Sequence, residues 1–333
     1  VMPQALQLEA LAQAASIILL KMDEYAGKLT RLAGTKDLRF RRPIVPGDTL
    51  RLEVQLESIK DNEAQCQGKL FVAEELAGEG KLVLTIHAKG MGQVVIDRLA
   101  NVHSSAKLAP GVRIGPYAII DENAEIGENA IIDAHAVIGA GSIIGKDSHI
   151  HYGAVIGDLP QDVKYAGEKT NVVIGERNRI REYVTINRAT GPGNKTVLGN
   201  DNILMSHVHI GHNCKLGNNI VIVSLSQLAG HVTIEDRVTI GGMVGIPQFL
   251  RVGTLAMIGG YARLFQDIPP YMLAEGNPAE VQAINAVGLK RNNVSREVAG
   301  LIKDAYRLIY RSELNTSQAL ERIKQECLLN GKL

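Results

Sequence analysis

Isoleucine, leucine or valine recurs at every sixth residue over a long central stretch. The series starts at Val102, Leu108, Ile114, Ile120 and Ile126, and continues through Ile132, Ile138, Ile144, Ile150 and Ile156. It breaks, returns in phase at Ile174, Ile180 and Ile186, and breaks again. It then runs from Leu198 through Leu204, Ile210, Leu216, Ile222, Leu228, Ile234, Ile240, Ile246, Val252 and Ile258 to Leu264. This period matches neither an α-helix nor a strand with one exposed face. It fits a two-residue strand and a tight turn, repeated, with three units closing one triangular coil of about 18 residues. A Gly often follows the apolar residue, as in Ile114-Gly115, Ile126-Gly127 and Ile144-Gly145, and is expected to supply a turn conformation with positive φ. Residues 102–264 are therefore expected to form a parallel β-helix. With 34 Gly, four Phe, nine Tyr and no Trp, a core of thin aliphatic layers suits this chain better than a bulky sandwich.

Two polar segments interrupt the series, DLPQDVKYAGEKTN and RATGPGNKT. Both read as excursions from the coil, and function in repeat proteins often sits on such insertions. After Leu264 the Pro-bearing QDIPPYMLAEGNPAEV leads to a helical pattern. Val298, Leu301, Ile302, Ala305, Leu308 and Ile309 share one face, Ser295 is the expected N-cap, and a second helix begins near Ser317. These helices would close an otherwise open sheet edge. The first 95 residues lack the period. Leu6 to Met22 reads as a helix burying Leu8, Leu11, Ala15, Ile18, Leu19 and Met22. The runs LRFRR, TLRLEVQLESI, EAQCQGKLFVAEEL and KLVLTIHAKGMG read as strands, so a small α+β domain is expected. The expected divisions are 1–95, 96–268 and 269–333.

The net charge of +1 gives no global field for nucleic acid or an anionic membrane. No run of apolar residues is long enough to span a bilayer. Cys66, Cys214 and Cys327 are an odd, widely spaced set without a CxxC pattern, which points to a reducing cytoplasm rather than a disulfide framework.

The segments Gly157–Glu168, HIGHNC (His209–Cys214), LAGHV (Leu228–Val232), GNP (Gly276–Pro278) and GLKR (Gly288–Arg291) resemble the UDP-N-acetylglucosamine O-acyltransferases of lipid A biosynthesis. VMPQALQLEALAQ and FRRPIVPGDTL resemble the hot-dog 3-hydroxyacyl-carrier-protein dehydratases. The resemblance implies a mainly β chain: a left-handed parallel β-helix with a C-terminal helical cap, preceded by a partial α+β hot-dog domain. It implies a homotrimer, with hot-dog pairing as a further route to assembly. It also implies transfer of a 3-hydroxyacyl chain from acyl-carrier protein to the 3-hydroxyl of UDP-N-acetylglucosamine, without cofactor or metal.

Acyl transfer from a thioester needs a base for the attacking hydroxyl and donors for the developing oxyanion. By resemblance His212 is the base and the Gly230 N–H the oxyanion donor. His209, His231, Gln161, Asp162, Lys164, Gln248, Asn285 and Arg291 are implied substrate contacts, with Arg291 on phosphate and Gly260 as the position that sets acyl length. His207 has no such match and is expected on the surface. The chain departs from the family pattern at Pro247 (commonly His), Asn213 (commonly acidic), and Ser224 and Leu225 (commonly Asn). These departures keep three alternatives open: an acyltransferase with another acceptor, a non-catalytic scaffold, and a carbonic anhydrase using His209, His212 and His231. In the dehydratase-like part Glu9 matches the acidic partner of a catalytic His that this chain lacks, so dehydratase activity is not expected.

Overall fold

The computed structural model describes residues 1–25, 27–87 and 92–325. The chain forms two compact units, Val1–Gly92 and Gln93–Leu333. Ala88 to Met91, at the end of the last strand-like run, and Cys327, at the end of the helical pattern, lie outside the described residues.

The first unit packs one helix, α1 (Gln4–Leu20), on a four-stranded antiparallel sheet. The strands are β1 (Leu29–Phe40), β2 (Leu50–Lys60), β3 (Glu63–Val72) and β4 (Glu75–His87), in the order β1-β4-β3-β2. Gln7, Leu11, Ala15 and Leu19 recur every four residues and make the buried stripe of α1, whereas Met22 is exposed beyond the helix end. Leu11, Ala15 and Leu19 pack with Ala64, Cys66, Leu70, Leu82 and Leu84. The sheet fits around the helix at Gly68, where a Cβ would meet Leu11 at 3.3 Å. Asp61 and Asn62 both have positive φ and close the β2–β3 hairpin, as a two-residue turn requires. EAQCQGKLFVAEEL is not one strand, because the chain reverses at Ala73, whose φ is 52°. β1 begins well before LRFRR. Irregularities at Leu32/Gly34 and Lys36/Arg39 break the alternation that would have revealed it.

In the second unit two- to four-residue strands stack in parallel into three sheets, the faces of a left-handed parallel β-helix, with eight, eleven and eight strands once a terminal hairpin is counted in the second. Each rung pairs with the residue one coil on, as in Ile126 with Ile144 and Ile132 with Ile150. Two inward positions fill each face. The rung carries Ile, Leu or Val, and the residue two earlier is smaller: Ala118 before Ile120, Ala124 before Ile126, Ala130 before Ile132, all buried. The narrow triangular interior explains the pairing of a large with a small residue. Some small positions are polar and satisfy one another along the axis. Asn178 Oδ1 accepts from the Asn202 N–H, and Asn202 Oδ1 accepts from the Ile220 N–H.

Most glycines after the rungs do not serve the turn, Gly157 with its φ of 82° being an exception. Gly115, Gly127 and Gly145 have ordinary φ, and they are needed because a Cβ would strike the backbone of the next coil: Ala134 N at 2.8 Å, Lys146 N at 2.6 Å and Gly175 C at 2.3 Å. The positive-φ corner comes two residues later. It is held by Tyr117, Asn123, Asn129, His135, Asp147, Tyr183, His207, Asn213 and His231, among others. His207, as expected, stands at such a corner, stacked on Tyr183.

Stacked partners are 18 residues apart in regular coils, 30 across the first interruption and 24 across the second. Both interruptions are thus whole multiples of six, which is why the ladder resumes in phase. At the far end the hairpin Met272–Gly276/Ala279–Ile284 adds to the eleven-stranded sheet beside Met257–Ile258. The helices α2 (Ala286–Arg291), α3 (Arg296–Tyr310) and α4 (Thr316–Ile323) follow. Strand addition therefore covers the edge first, and the helices pack over it. Ile302 and Tyr306 of α3 join the coil's own core, and the Tyr306 hydroxyl donates to Gln282 O at 2.6 Å. Ser295 caps α3 as its sequence suggests. α4 begins at Thr316, beside Ser317 as expected, and is capped by Asn315 in a capping box with Gln318. No described helix is long and apolar enough to cross a membrane.

Candidate active site

Four successive coils of one eight-stranded sheet bring the candidate residues together. The strands Thr185–Asn187, His209–Ile210, Gln227–Leu228 and Gly245–Ile246 are neighbours. His212, Gly230 and Gln248 occupy the same corner position one coil apart, so Gly230 lies directly over the His212 ring. A Cβ at Gly230 would sit 2.4 Å from His212 Nε2 and 2.5 Å from Cε1. Only glycine leaves room for this imidazole. The Gly230 N–H donates to no acceptor among the described residues. A groove of about 600 Å³ opens here, with His209, His212, Gly230, Gln248, Pro247 and Gln161 among its walls.

His212 is 5% exposed. Its Nδ1 lies 2.9 Å from Asn213 Oδ1. The amide of Asn213 is oriented by the second insertion: Oδ1 accepts from the Thr190 backbone N–H at 2.8 Å and from its hydroxyl at 3.0 Å, and Nδ2 donates to Thr190 O at 3.0 Å. The oxygen therefore faces the ring, and the ring must carry its proton on Nδ1. Nε2 is left with a lone pair, as a general base requires. The Asp162 carboxylate, from the first insertion, stands 3.8 Å from Nε2. Glu168 Oε1 accepts from the Gly191 N–H at 2.7 Å and ties the two insertions together. That bond, with those from Glu168's own N–H and Ala166's, holds its pKa below the ordinary carboxylate value.

His209 Nδ1 is 2.7 Å from the Thr185 hydroxyl, its neighbour on the previous coil. Burial first, and the nearby His212 second, lower the His209 pKa. His231 packs edge-on against His212 with centroids 5.2 Å apart and stacks on Phe249 at 4.7 Å. Its pKa is also lowered, mainly by burial and then by His212, against the opposing pull of Asp162. Lys164 is exposed; its backbone N–H donates to Asp162 Oδ1 at 2.9 Å, which shapes the loop. Gly260 stands one coil above Gly242, and a Cβ there would find nothing nearer than 3.5 Å.

Two predicted residues lie elsewhere. Asn285 is the N-cap of α2: its side chain accepts from the Gly288 N–H at 2.9 Å and donates to Leu255 O at 2.8 Å. Arg291 is exposed at the other end of α2. Both line a separate groove of about 520 Å³ with Arg237, Thr239 and Met257. Glu9 is exposed on α1 and accepts from Gln13 at 3.0 Å. Thr190, Thr185, Asn187, Gln227 and Arg263 belong to the site or its support and escape a reading by motif. Stacking by one coil reveals three of them: Thr185 lies below His209, Gln227 lies above it, and Arg263 follows one coil beyond Gly245. Among the described residues, His209, His212 and His231 of one chain are not gathered to metal-ligating distance. Asp133, His149 and His151 are.

Residues 267–331 match the model of UDP-N-acetylglucosamine O-acyltransferase domain 2, residues 1–87 the FabA-like domain, and residues 123–158 the bacterial transferase hexapeptide repeats. The chain is 42% identical over 233 residues to the acyl-[acyl-carrier-protein]–UDP-N-acetylglucosamine O-acyltransferase of Paraburkholderia phymatum, covering 70% of this chain and 89% of that one. It is 46% identical over 172 residues to the enzyme of the same name from Gloeothece citriformis, where the match covers 52% of this chain and spans only 62% of the relative's length. The crystal structure of a UDP-N-acetylglucosamine acyltransferase from Bacteroides fragilis superposes with a TM-score of 0.69 at 44% identity, covering 70% of this chain and 91% of that one.

Proposed function

The chain belongs to the UDP-N-acetylglucosamine O-acyltransferase family, and from that membership we propose that it transfers a 3-hydroxyacyl chain from acyl-carrier protein to the 3-hydroxyl of UDP-N-acetylglucosamine, the first step of lipid A biosynthesis. The observation that carries this reading is the buried His212. Asn213 fixes its tautomer, and its Nε2 faces the groove under a glycine that nothing else could replace.

In this reading Nε2 takes the proton of the sugar hydroxyl as its oxygen attacks the thioester carbon. The tetrahedral oxyanion accepts a hydrogen bond from the Gly230 N–H. Collapse expels the carrier thiolate, which recovers the proton from His212. Asn213 holds the ring but brings no charge to the imidazolium. The Asp162 carboxylate, 3.8 Å from Nε2, supplies the negative charge that an acidic residue at position 213 would have given. His209, His231, Gln161, Lys164 and Gln248 serve substrate binding around this centre. Gly260 and Gly242 leave their corner free of side chains, so a long acyl tail passes. Asn285 and Arg291 lie outside the His212 groove of their own chain. They reach a substrate there only from a neighbouring copy, which fits a cytoplasmic homotrimer with sites between coils.

The test is thiol release from 3-hydroxyacyl carrier protein by the purified chain with and without UDP-N-acetylglucosamine, beside His212→Ala. Release that requires the nucleotide sugar and is lost in the variant is expected. No sugar-dependent release by the parent chain would overturn the reading and favour a non-catalytic scaffold.

A further inference from the structure

A second cluster of chemistry-bearing side chains stands on a different corner of the coil, after strands of the eleven-stranded sheet, on the two coils before the first insertion and the one after it. His149 Nε2 lies 2.8 Å from Asp133 Oδ2. His151 Nδ1 lies 3.5 Å from the same oxygen and 3.7 Å from Glu182 Oε1. The two imidazoles are stacked, with centroids 3.8 Å apart and planes tilted by 22°. The ligand atoms of Asp133, His149 and His151 all lie within 4.8 Å of one another.

One His–Asp hydrogen bond would satisfy Asp133 Oδ2. It does not account for a second imidazole nitrogen turned toward the same oxygen and also facing a second carboxylate. The repeat brings the members together: Asp133 and His151 hold the same position one coil apart, after the rungs Ile132 and Ile150, with His149 just before Ile150 and Glu182 on the next coil, after the rung Ile180. Glu182 is held in place from the outside. Arg181 donates to it at 2.8 Å, and the Ser206 hydroxyl donates to Oε2 at 3.0 Å. The side chains of Asp133 and His151 are 18% and 17% exposed, against 34% for His149.

We propose that Asp133, His149 and His151 bind one divalent transition-metal ion of the zinc class, with the Glu182 carboxylate standing behind His151. Imidazole and carboxylate are the donors such ions take at about 2.0–2.2 Å in tetrahedral sites. Tetrahedral ligand atoms around such an ion lie ~3.3 Å apart, and the two contacts to Asp133 Oδ2, of 2.8 and 3.5 Å, bracket that spacing. The ion takes the place of the proton between His149 and Asp133, the His149 ring carrying its proton on Nδ1 instead. His149, the most exposed of the set, turns its ring out of the stack so that both lone pairs converge. The ion then clasps two successive coils just before the chain leaves the helix for the first insertion. Its role is to hold the scaffold, since neither His212 nor Gly230 is part of the set.

The test uses the full chain stripped of metal. Calorimetric titration with Zn²⁺ is expected to show one ion per chain, with affinity lowered at least tenfold in His149→Gln and in Asp133→Asn, and unaltered in His212→Ala. Zn²⁺ raises the melting temperature of the parent by a few degrees and leaves that of His149→Gln unchanged. Circular dichroism of the metal-free variants checks that they fold. Co²⁺ in place of Zn²⁺ gives visible absorption bands in the parent only. Absence of saturable binding, or binding retained in His149→Gln and lost in His212→Ala, overturns the proposal.

Discussion

Replacing Gly230 by Ala puts one methyl group where the His212 ring already sits. The new Cβ would lie 2.4 Å from Nε2, and ordinary contact begins at 3.4 Å, so the ring has to retreat by about 1 Å. It cannot do so freely, because it is buried and hydrogen-bonded through Nδ1 to an Asn213 that Thr190 holds. A displacement of about 1 Å in a reacting group costs on the order of a hundredfold in rate, or ~2.7 kcal/mol of activation free energy. Gly230 is not in the left-handed region, so Ala brings no backbone strain. The stability cost is overpacking alone, about 1–3 kcal/mol. Steady-state kinetics with saturating acyl-carrier-protein substrate should therefore show kcat lowered about a hundredfold in a chain that is still folded by circular dichroism. A folded Gly230→Ala protein that keeps kcat within about threefold of the parent would refute the reasoning.

Other expectations follow from the same geometry. Gly127→Ala, far from the groove, sets a Cβ 2.6 Å from Lys146 N. The obstacle is backbone, so the melting temperature should fall, by the equivalent of at least about 2 kcal/mol. Asn213→Ala removes the acceptor that fixes the His212 tautomer, and kcat should drop roughly tenfold to a hundredfold with little change in KM. His209 has a lowered pKa in the fold. The unfolded chain then binds the proton more readily, so the contribution of His209 to stability is complete above its ordinary value and is lost as pH falls through it. His209→Gln should flatten the fall in melting temperature as pH drops below about 6.5.

The rungs are legible in sequence because each inward position demands an aliphatic side chain, whatever surrounds it. The corners are less legible. Their positive-φ residues point outward, so Tyr117, Asn129, His135 and Arg237 serve equally well, and no residue type marks them. The glycines after the rungs are conspicuous, but most serve a different need, the approach of the next coil's backbone, which only the stacked structure reveals. The strand β1 hid behind its bulges, and the exposure of Met22 reflects where α1 ends rather than its helical phase. At the site, His212, Gly230 and Gln248 are separated by one coil each, so the ladder could have located them as a stack. The Asn213–Thr190 link could not be found that way, because Thr190 lies in an insertion with no period. Asn285 resembles a substrate contact, and only the structure reveals its second task, in which its amide caps α2 and holds Leu255 O. The Asp133–His149–His151 cluster escaped notice because its members are ordinary outward residues until the coils are stacked.

The product of the reaction tests the central claim most directly. The purified chain is incubated with UDP-N-acetylglucosamine and 3-hydroxyacyl carrier protein, and the nucleotide sugar is recovered for mass spectrometry and NMR. The expected result is one 3-hydroxyacyl group in ester linkage at the glucosamine 3-oxygen, formed in step with free carrier thiol and absent with His212→Ala. Unmodified sugar, or an acyl group on another acceptor, would contradict the account.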